Sequence, residues 1–159
     1  MKNTLRCVLP IIVLCVAAFA APAQNADTAV IEKFIAKQAS EDSGEEYEAA
    51  RTVMAGDLNH DGVFDVAVLF TIEGQNGTNN YIQYLAAFVR TKRGLVPSAN
   101  TFVGGKGNRD IDLVSIKNNV IHLKTMSHRD DDPSSTPSKK GTARFVLVKH
   151  SLKELRPRR

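Results

Sequence analysis

The sequence predicts an α+β fold, with one N-terminal helix packed on an antiparallel β-sheet of about six strands. Three observations carry that expectation. An apolar stripe at helical spacing occurs early, in Val30, Ile31, Phe34 and Ile35. From Tyr47 onward apolar residues alternate or run in short blocks, the texture of strands. Short turn-forming stretches join those blocks, which favours antiparallel pairing of neighbours.

Ahead of the helix lies a stretch of a different kind. Met1 to Arg6 is a short basic start, Val8 to Ala21 is almost wholly apolar, and Ala21-Pro22-Ala23 is a small-x-small cleavage pattern. Residues 1–23 are therefore expected to be a cleaved secretory signal peptide, which implies a periplasmic or secreted protein. The apolar run falls short of a membrane span of about 18 residues or more, so an uncleaved anchor is the weaker reading. Lipidation at Cys15 is disfavoured because Leu14, not a small residue, precedes it. Both cysteines, Cys7 and Cys15, lie in this stretch, so cleavage leaves 136 residues without thiol, disulfide or thiolate-metal chemistry. The formal charge falls from +4 to +2 with the loss of Lys2 and Arg6. A chain of this size supports one hydrophobic core. The expected organisation is a single α+β domain over 24–155 and a basic tail over 156–159.

Within that domain Asp27-Thr28 offers the helix a cap, with Lys33 and Lys37 on its polar face. Gln38 to Glu46 reads as an acidic connector and Glu48 to Ala55 as a strand. Phe64 to Ile72 is a stronger strand, with Val66, Val68, Phe70 and Ile72 on one face and Ala67 and Leu69 on the other. A strand apolar on both faces belongs in mid-sheet or under a helix. After the polar loop Gly74 to Asn80, Tyr81 to Arg90 reads as another central strand, and Lys92-Arg93-Gly94 turns it toward Leu95-Val96. Ile111 to Lys117 and Val120 to Met126 form a hairpin around Asn118-Asn119, because asparagine tolerates the positive φ of a two-residue turn. His128 to Gly141 is a loop, and Ala143 to Lys149 pairs back through His150-Ser151 to Leu152–Leu155.

The most specific chemistry lies in Asp57-Leu58-Asn59-His60-Asp61-Gly62-Val63-Phe64-Asp65. Oxygen-bearing side chains occupy positions 1, 3, 5 and 9, glycine occupies position 6, and the Val63 carbonyl is available at position 7. A hard cation such as Ca²⁺ takes six to eight oxygens, and alternate residues of a tight loop can converge on it. Asp57, Asp61 and Asp65 would repel one another without a cation. The bland reading is a polar Asx-Gly turn between two strands.

This D-x-N-x-D-G-x-x-D spacing resembles the calcium-binding loops of EF-hand, dockerin and integrin-type β-propeller (FG-GAP) proteins. The resemblance implies side-chain ligands at Asp57, Asn59, Asp61 and Asp65 and a carbonyl ligand at Val63. It departs from an EF-hand at position 12, where Val68 replaces the bidentate glutamate, and in being followed by a strand, as in the FG-GAP type. The expected affinity is accordingly weak, about 10⁻⁴–10⁻³ M, unless Glu73 or one of Glu45, Glu46 and Glu48 completes the shell. Mg²⁺ fits less well, since it demands a tighter octahedron. Beyond the loop, the run from Ala55 through Asn80–Leu85 to Val103–Gly107 looks like small exported bacterial proteins of no established role. Those relatives carry a cysteine pair where this chain has Ser134-Ser135.

Other candidates are weaker. Gly104-Gly105-Lys106-Gly107 departs from the phosphate-loop pattern, since Lys106-Gly107 is followed by Asn108 and then a strand rather than the Ser or Thr and helix that pattern needs, and reads as a flexible turn. His60, His122, His128 and His150 share no zinc-ligand spacing. Asp130-Asp131-Asp132 reads as a solvated acidic loop, and no nucleophile elbow or H-E-x-x-H helix is present. Charge is segregated along the chain: ten acids and three bases in residues 27–65, seven acids and sixteen bases in residues 66–159. Such asymmetry can become two surface patches. Nucleic acid is an unfavoured partner for an exported chain lacking aromatic-basic motifs, while an envelope protein or anionic polymer would suit the basic half. The expected function is a non-enzymatic, exported calcium-binding module. The alternatives are a periplasmic inhibitor or immunity factor with a purely structural loop, and a hydrolase with a catalytic metal on the aspartates.

Overall fold

The computed structural model describes residues 21–133 and 136–156, with side chains from Ala26 onward. Residues 1–20, which hold most of the signal peptide expected over 1–23, lie outside the described residues, as do Ser134-Ser135 and the tail beyond Arg156. The α+β class holds: one α-helix, α1 (Ala21–Glu41), and otherwise antiparallel strands. The single sheet of about six strands is corrected to nine strands in two sheets of five and four.

The first sheet contains β1 (Glu45–Glu46), β2 (Thr52–Gly56), β3 (Asp65–Glu73), β4 (Tyr81–Thr91) and β5 (Gly94–Gly105). β1 and β2 pair successive stretches of one edge of β3, and β4 and β5 follow on the other side. A 3-10 turn at Glu48–Ala50 separates β1 from β2, which shortens the strand expected over Glu48–Ala55. The second sheet runs β6 (Arg109–Lys117), β7 (Val120–Ser127), β8 (Lys139–Val148) and β9 (Ser151–Glu154) in order.

The correction has a physical cause in β3, whose residues Asp65–Ile72 are all buried. Val66, Val68, Phe70 and Ile72 pack with Ala86, Phe88 and Leu95 under Ile31, Ile35 and Ala39 of the helix. Ala67 and Leu69, with Leu85, Ala87 and Val103, face Ile111, Leu113, Ile121, Leu123, Ala143 and Phe145 of the second sheet. One helix covers one face only. The other face requires a third layer, which four strands folded away as their own sheet supply.

Two backbone features make the layering possible. β5 extends through a stretch that the sequence left unassigned, and a register shift lies beside the Phe88–Pro97 pair. Proline offers no ladder N–H, so it suits an irregular site on this outermost strand. The chain then crosses between sheets through Gly105–Asn108, where Asn108 N–H donates to the Gly105 carbonyl at 3.0 Å. A Cβ on Gly104 would lie 2.3 Å from the Arg109 carbonyl oxygen, so glycine there lets the two sheets approach. The supposed flexible turn is thus a packed corner.

The helix begins before the expected Asp27-Thr28 cap. Asp27 instead receives both guanidinium nitrogens of Arg90, at 3.0 and 2.5 Å, tying the helix to the end of β4. At its other end Asn100 donates to Gln38 at 2.8 Å and Gln38 to Asp42 at 3.1 Å. Burial first, then Asp42 and Glu41, push the neighbouring Tyr84 hydroxyl up to about 12. In the 128–138 loop, Asp132 accepts from Ser138 Oγ at 2.7 Å and from the N–H groups of Ser138 and Arg129, both at 2.8 Å. These bonds, led by Ser138, hold its carboxyl below the usual range. Asp132 is therefore a loop staple.

Phe70 is fully buried, edge-on to Phe34 at 6.4 Å and stacked on Tyr84 at 5.4 Å. Phe70→Ala is expected to cost about 3–5 kcal/mol, a loss that urea unfolding will read as a lowered midpoint at unchanged slope.

Candidate metal site

The β2–β3 connection, residues 57–64, is drawn tightly around the Asp57 carboxylate. Its Oδ1 accepts the N–H groups of Asn59 at 3.2 Å and His60 at 2.7 Å, and its Oδ2 accepts that of Gly62 at 3.1 Å. Two left-handed residues, His60 at φ 68° and Gly62 at φ 79°, aim those donors inward. Glycine takes such a φ freely, whereas His60 takes it at a cost that the Asp57 bond helps to offset. Partial desolvation raises the Asp57 carboxyl, but the N–H bonds from Gly62, His60 and Asn59 outweigh it and hold the group below the usual carboxylate range.

Asn59 and Asp61 form a second, linked pair. Asp61 N–H donates to Asn59 Oδ1 at 3.0 Å, and Asn59 Nδ2 donates to Asp61 Oδ2 at 2.9 Å. Asp61 Oδ1 in turn accepts Val63 N–H at 2.8 Å. Asn59 and Asp61 are exposed, as are the side chains of Val63 and Phe64 beyond them.

Asp65 behaves differently from its partners in the spacing. Its carboxyl is fully buried. Oδ2 accepts Leu58 N–H at 3.0 Å and Oδ1 accepts Arg90 N–H at 2.8 Å. One side chain therefore pins the start of the loop to the end of β4, while Leu58 itself is sunk in the core between the sheets. On the other flank Asn119, in the β6–β7 turn, donates its amide to the Asp57 carbonyl at 2.9 Å. Asn118 and Asn119 have φ of 50° and 62°, the left-handed pair that the hairpin requires. The turn was legible in the sequence. Its docking on the loop was not, because it depends on how the two sheets stack.

The acids considered for completing a metal shell sit elsewhere. Glu45 and Glu73 are register partners at the far end of β3, and Glu46 pairs with the neighbouring Ile72. Eight residues of strand put that end about 27 Å from Asp65. Glu46 and Glu48 are drawn instead to Arg51. Among the described residues no three His, Cys, Asp or Glu side chains are gathered in a metal-holding arrangement. The donor chemistry fits a hard cation in part: Asn59 and Asp61 hold their oxygens on an exposed rim around Asp57, and Asp65 is buried beneath them, but the carboxylate oxygens of all three aspartates already accept N–H groups. A carboxylate oxygen has more than one lone pair, so that engagement leaves coordinating capacity.

No protein-family model, curated protein or solved structure matches this chain, so the site is read from its own geometry.

Two outcomes follow from this geometry. Asp65→Ala strands two N–H groups beneath the loop and is expected to cost about 2–5 kcal/mol by urea unfolding, while Asp65→Asn retains one carbonyl acceptor and costs less. Because the Asp57 carboxyl is depressed in the folded chain, its contribution is present above its unfolded value near pH 4 and lost as pH falls through the lower folded value. The amide resonances of His60 and Gly62 should therefore move together below about pH 4, later in the acid titration than an unperturbed aspartate would give.

Proposed function

We propose that this protein is an exported, non-enzymatic calcium-binding module whose ion braces the connection between β2 and β3. Asp57, Asn59, Asp61 and Asp65 would supply side-chain oxygens and Val63 its carbonyl. The observation that carries this reading is the nine-residue spacing realised as a closed loop, with Asp57 at its centre and the Asn59–Asp61 pair on the exposed rim. The all-oxygen donor set and the glycine at the bend support a hard cation over zinc. Export rests on the basic, apolar and small-x-small order of residues 1–23. Catalysis has less support, because the loop lies beside only a shallow depression lined by Gly56, Asp57, Phe64, Ile116 and Asn119.

A second reading is favoured by one specific observation. Every carboxylate of the loop already accepts N–H groups, so the loop is closed by protein donors. On that reading the loop is a structural Asx turn, and the protein acts through its surfaces as an inhibitor or immunity factor.

Calorimetric titration with calcium separates the two. The calcium reading expects binding at about 10⁻⁴–10⁻³ M, abolished in Asp61→Ala. At a concentration ten times the dissociation constant it expects a stabilisation of about 1.4 kcal/mol. Absence of both heat and a melting shift in the unsubstituted protein removes the calcium reading and leaves the structural loop.

A further inference from the structure

We infer that the outer face of the second sheet is a docking surface for a lipid bilayer carrying anionic headgroups. Strand alternation turns Ile121, Leu123, Ala143 and Phe145 inward to the core and places their neighbours on the opposite side. That side carries Lys117, His122, Lys124, Lys140, Arg144 and Lys153, distributed over all four strands. Register brings them together. His122 stands beside Arg144, Lys124 lies two residues along β7, and Val120 and Val146 separate Lys117 from Lys153 in the next row. No layer of the described fold covers them, since the helix packs on the other sheet.

The positive charge on this face is countered only in part within it: Asp112 stands opposite Lys124 in register, and five lysines and arginines face two acids. The ion pairs of the described residues involve Lys37, Arg51, Arg90 and Arg109, and none of the five lysines and arginines on this face. The acids on the face, Asp110 and Asp112, belong to the edge strand β6, and Asp110 is held by the Tyr81 hydroxyl at 2.5 Å. Rows two residues apart are separated by about 7 Å and strands by about 4.8 Å. Neighbouring cations, such as Lys124 with Lys140 and with Arg144, thus lie within about a Debye length of one another and repel until an anionic surface meets them. The acidic groups Glu32, Glu45, Glu46 and Glu48 gather around a depression between the helix and β1, on the other sheet. That separation would orient the molecule with its basic face toward negative charge.

The shape of the patch selects the occupant. Cations spread in two dimensions over a sheet can meet a headgroup layer all at once, whereas a linear polymer would engage only one row. Between them stand Val120, Met126 and Val146, with Val114 and Val148 exposed at the margins, and the face carries no Phe, Tyr or Trp ring as a platform for bases. A face of four strands is broader than the helix or two-stranded ribbon that a duplex groove admits. Each Lys or Arg at an anionic membrane surface contributes about a fivefold gain in partitioning. The inference does not depend on calcium binding by the β2–β3 loop.

Co-sedimentation of the full chain tests it, using vesicles of equal parts phosphatidylglycerol and phosphatidylcholine against phosphatidylcholine alone. The chain is expected to sediment with the mixed vesicles at low salt and to be released as salt rises. The neutral vesicles read any contribution of the apolar N-terminal stretch, which is common to every variant. Lys124→Gln with Lys140→Gln and Arg144→Gln should weaken partitioning by about a hundredfold at unchanged melting temperature, while Lys92→Gln with Arg93→Gln, in the β4–β5 turn, should stay within about threefold. No preference of the unsubstituted chain for the mixed vesicles overturns the inference, as does equal loss in both variants. Tighter capture by heparin or single-stranded DNA than by the vesicles assigns the face to a soluble polyanion instead. Lipid-free self-association lost in the triple variant assigns it to a second copy of the chain.

Discussion

Strand β3 must be shielded from water on both faces, and most of the architecture answers that demand. Its even-numbered side, Val66 to Ile72, is closed by Ile31, Ile35 and Ala39 of the helix, and its odd-numbered side by the second sheet. A buried side chain of this size is stabilised by about 1.5–3 kcal/mol relative to exposure, so neither face could be left open without losing much of the fold's stability. The β4 and β5 hairpin shares both faces, and the corner at Gly104 exists because the sheets must come close. Layer order, strand count and the crossover between sheets are consequences of one doubly apolar strand.

The same strand begins with a buried carboxylate. Asp65 is desolvated yet accepts two backbone N–H groups from different elements, which compensates the burial of a polar side chain. Its effect is to fix where β2 ends, where β4 ends and how Leu58 enters the core. The loop outside it is then folded locally, by Asp57 collecting N–H groups and by Asn59 and Asp61 holding each other. Strand burial and loop chemistry are therefore coupled through a single residue. On the calcium reading, Asp65 would link the ion to the strand ladder.

What could be read from the chain follows from the range of the interactions involved. The helix, the hairpin at Asn118-Asn119 and the two faces of β3 are written in local spacing and are all present, although the helix starts before Asp27 and runs on to Glu41, into the expected connector. The second sheet is not local. The two-sided pattern of β3 demanded two covers, but a chain with one helical stripe does not specify that four later strands supply the second. Residues within the loop were identifiable because their spacing falls inside nine positions. The burial of Asp65 was not, since it requires Arg90 from β4 and Leu58 from the loop to converge on it. Asn119 and Gly104 were missed for the same reason: their roles are defined by sheet stacking, which no window of sequence contains. Asp27 had the residue type of a helix cap and became a partner for Arg90, because β4 brings a guanidinium within reach.

Charge segregation along the chain has a structural translation that its sum conceals. Residues 27–65 carry ten acids against three bases and hold most of the helix, β1 and β2, whereas residues 66–159 carry sixteen bases against seven acids and include the central strands of the first sheet and all of the second. Folding neutralises the two groups against each other only at the Arg90–Asp27 pair among the described ion pairs, because the apolar interior of the first sheet stands between the helix and the second sheet. Arg90–Asp27 and Arg109–Glu154 are satisfied at the seams between elements. The lysines and arginines of the outer face enter none of the described ion pairs. A fold made to cover β3 twice therefore also leaves five of its lysines and arginines on one uncovered surface.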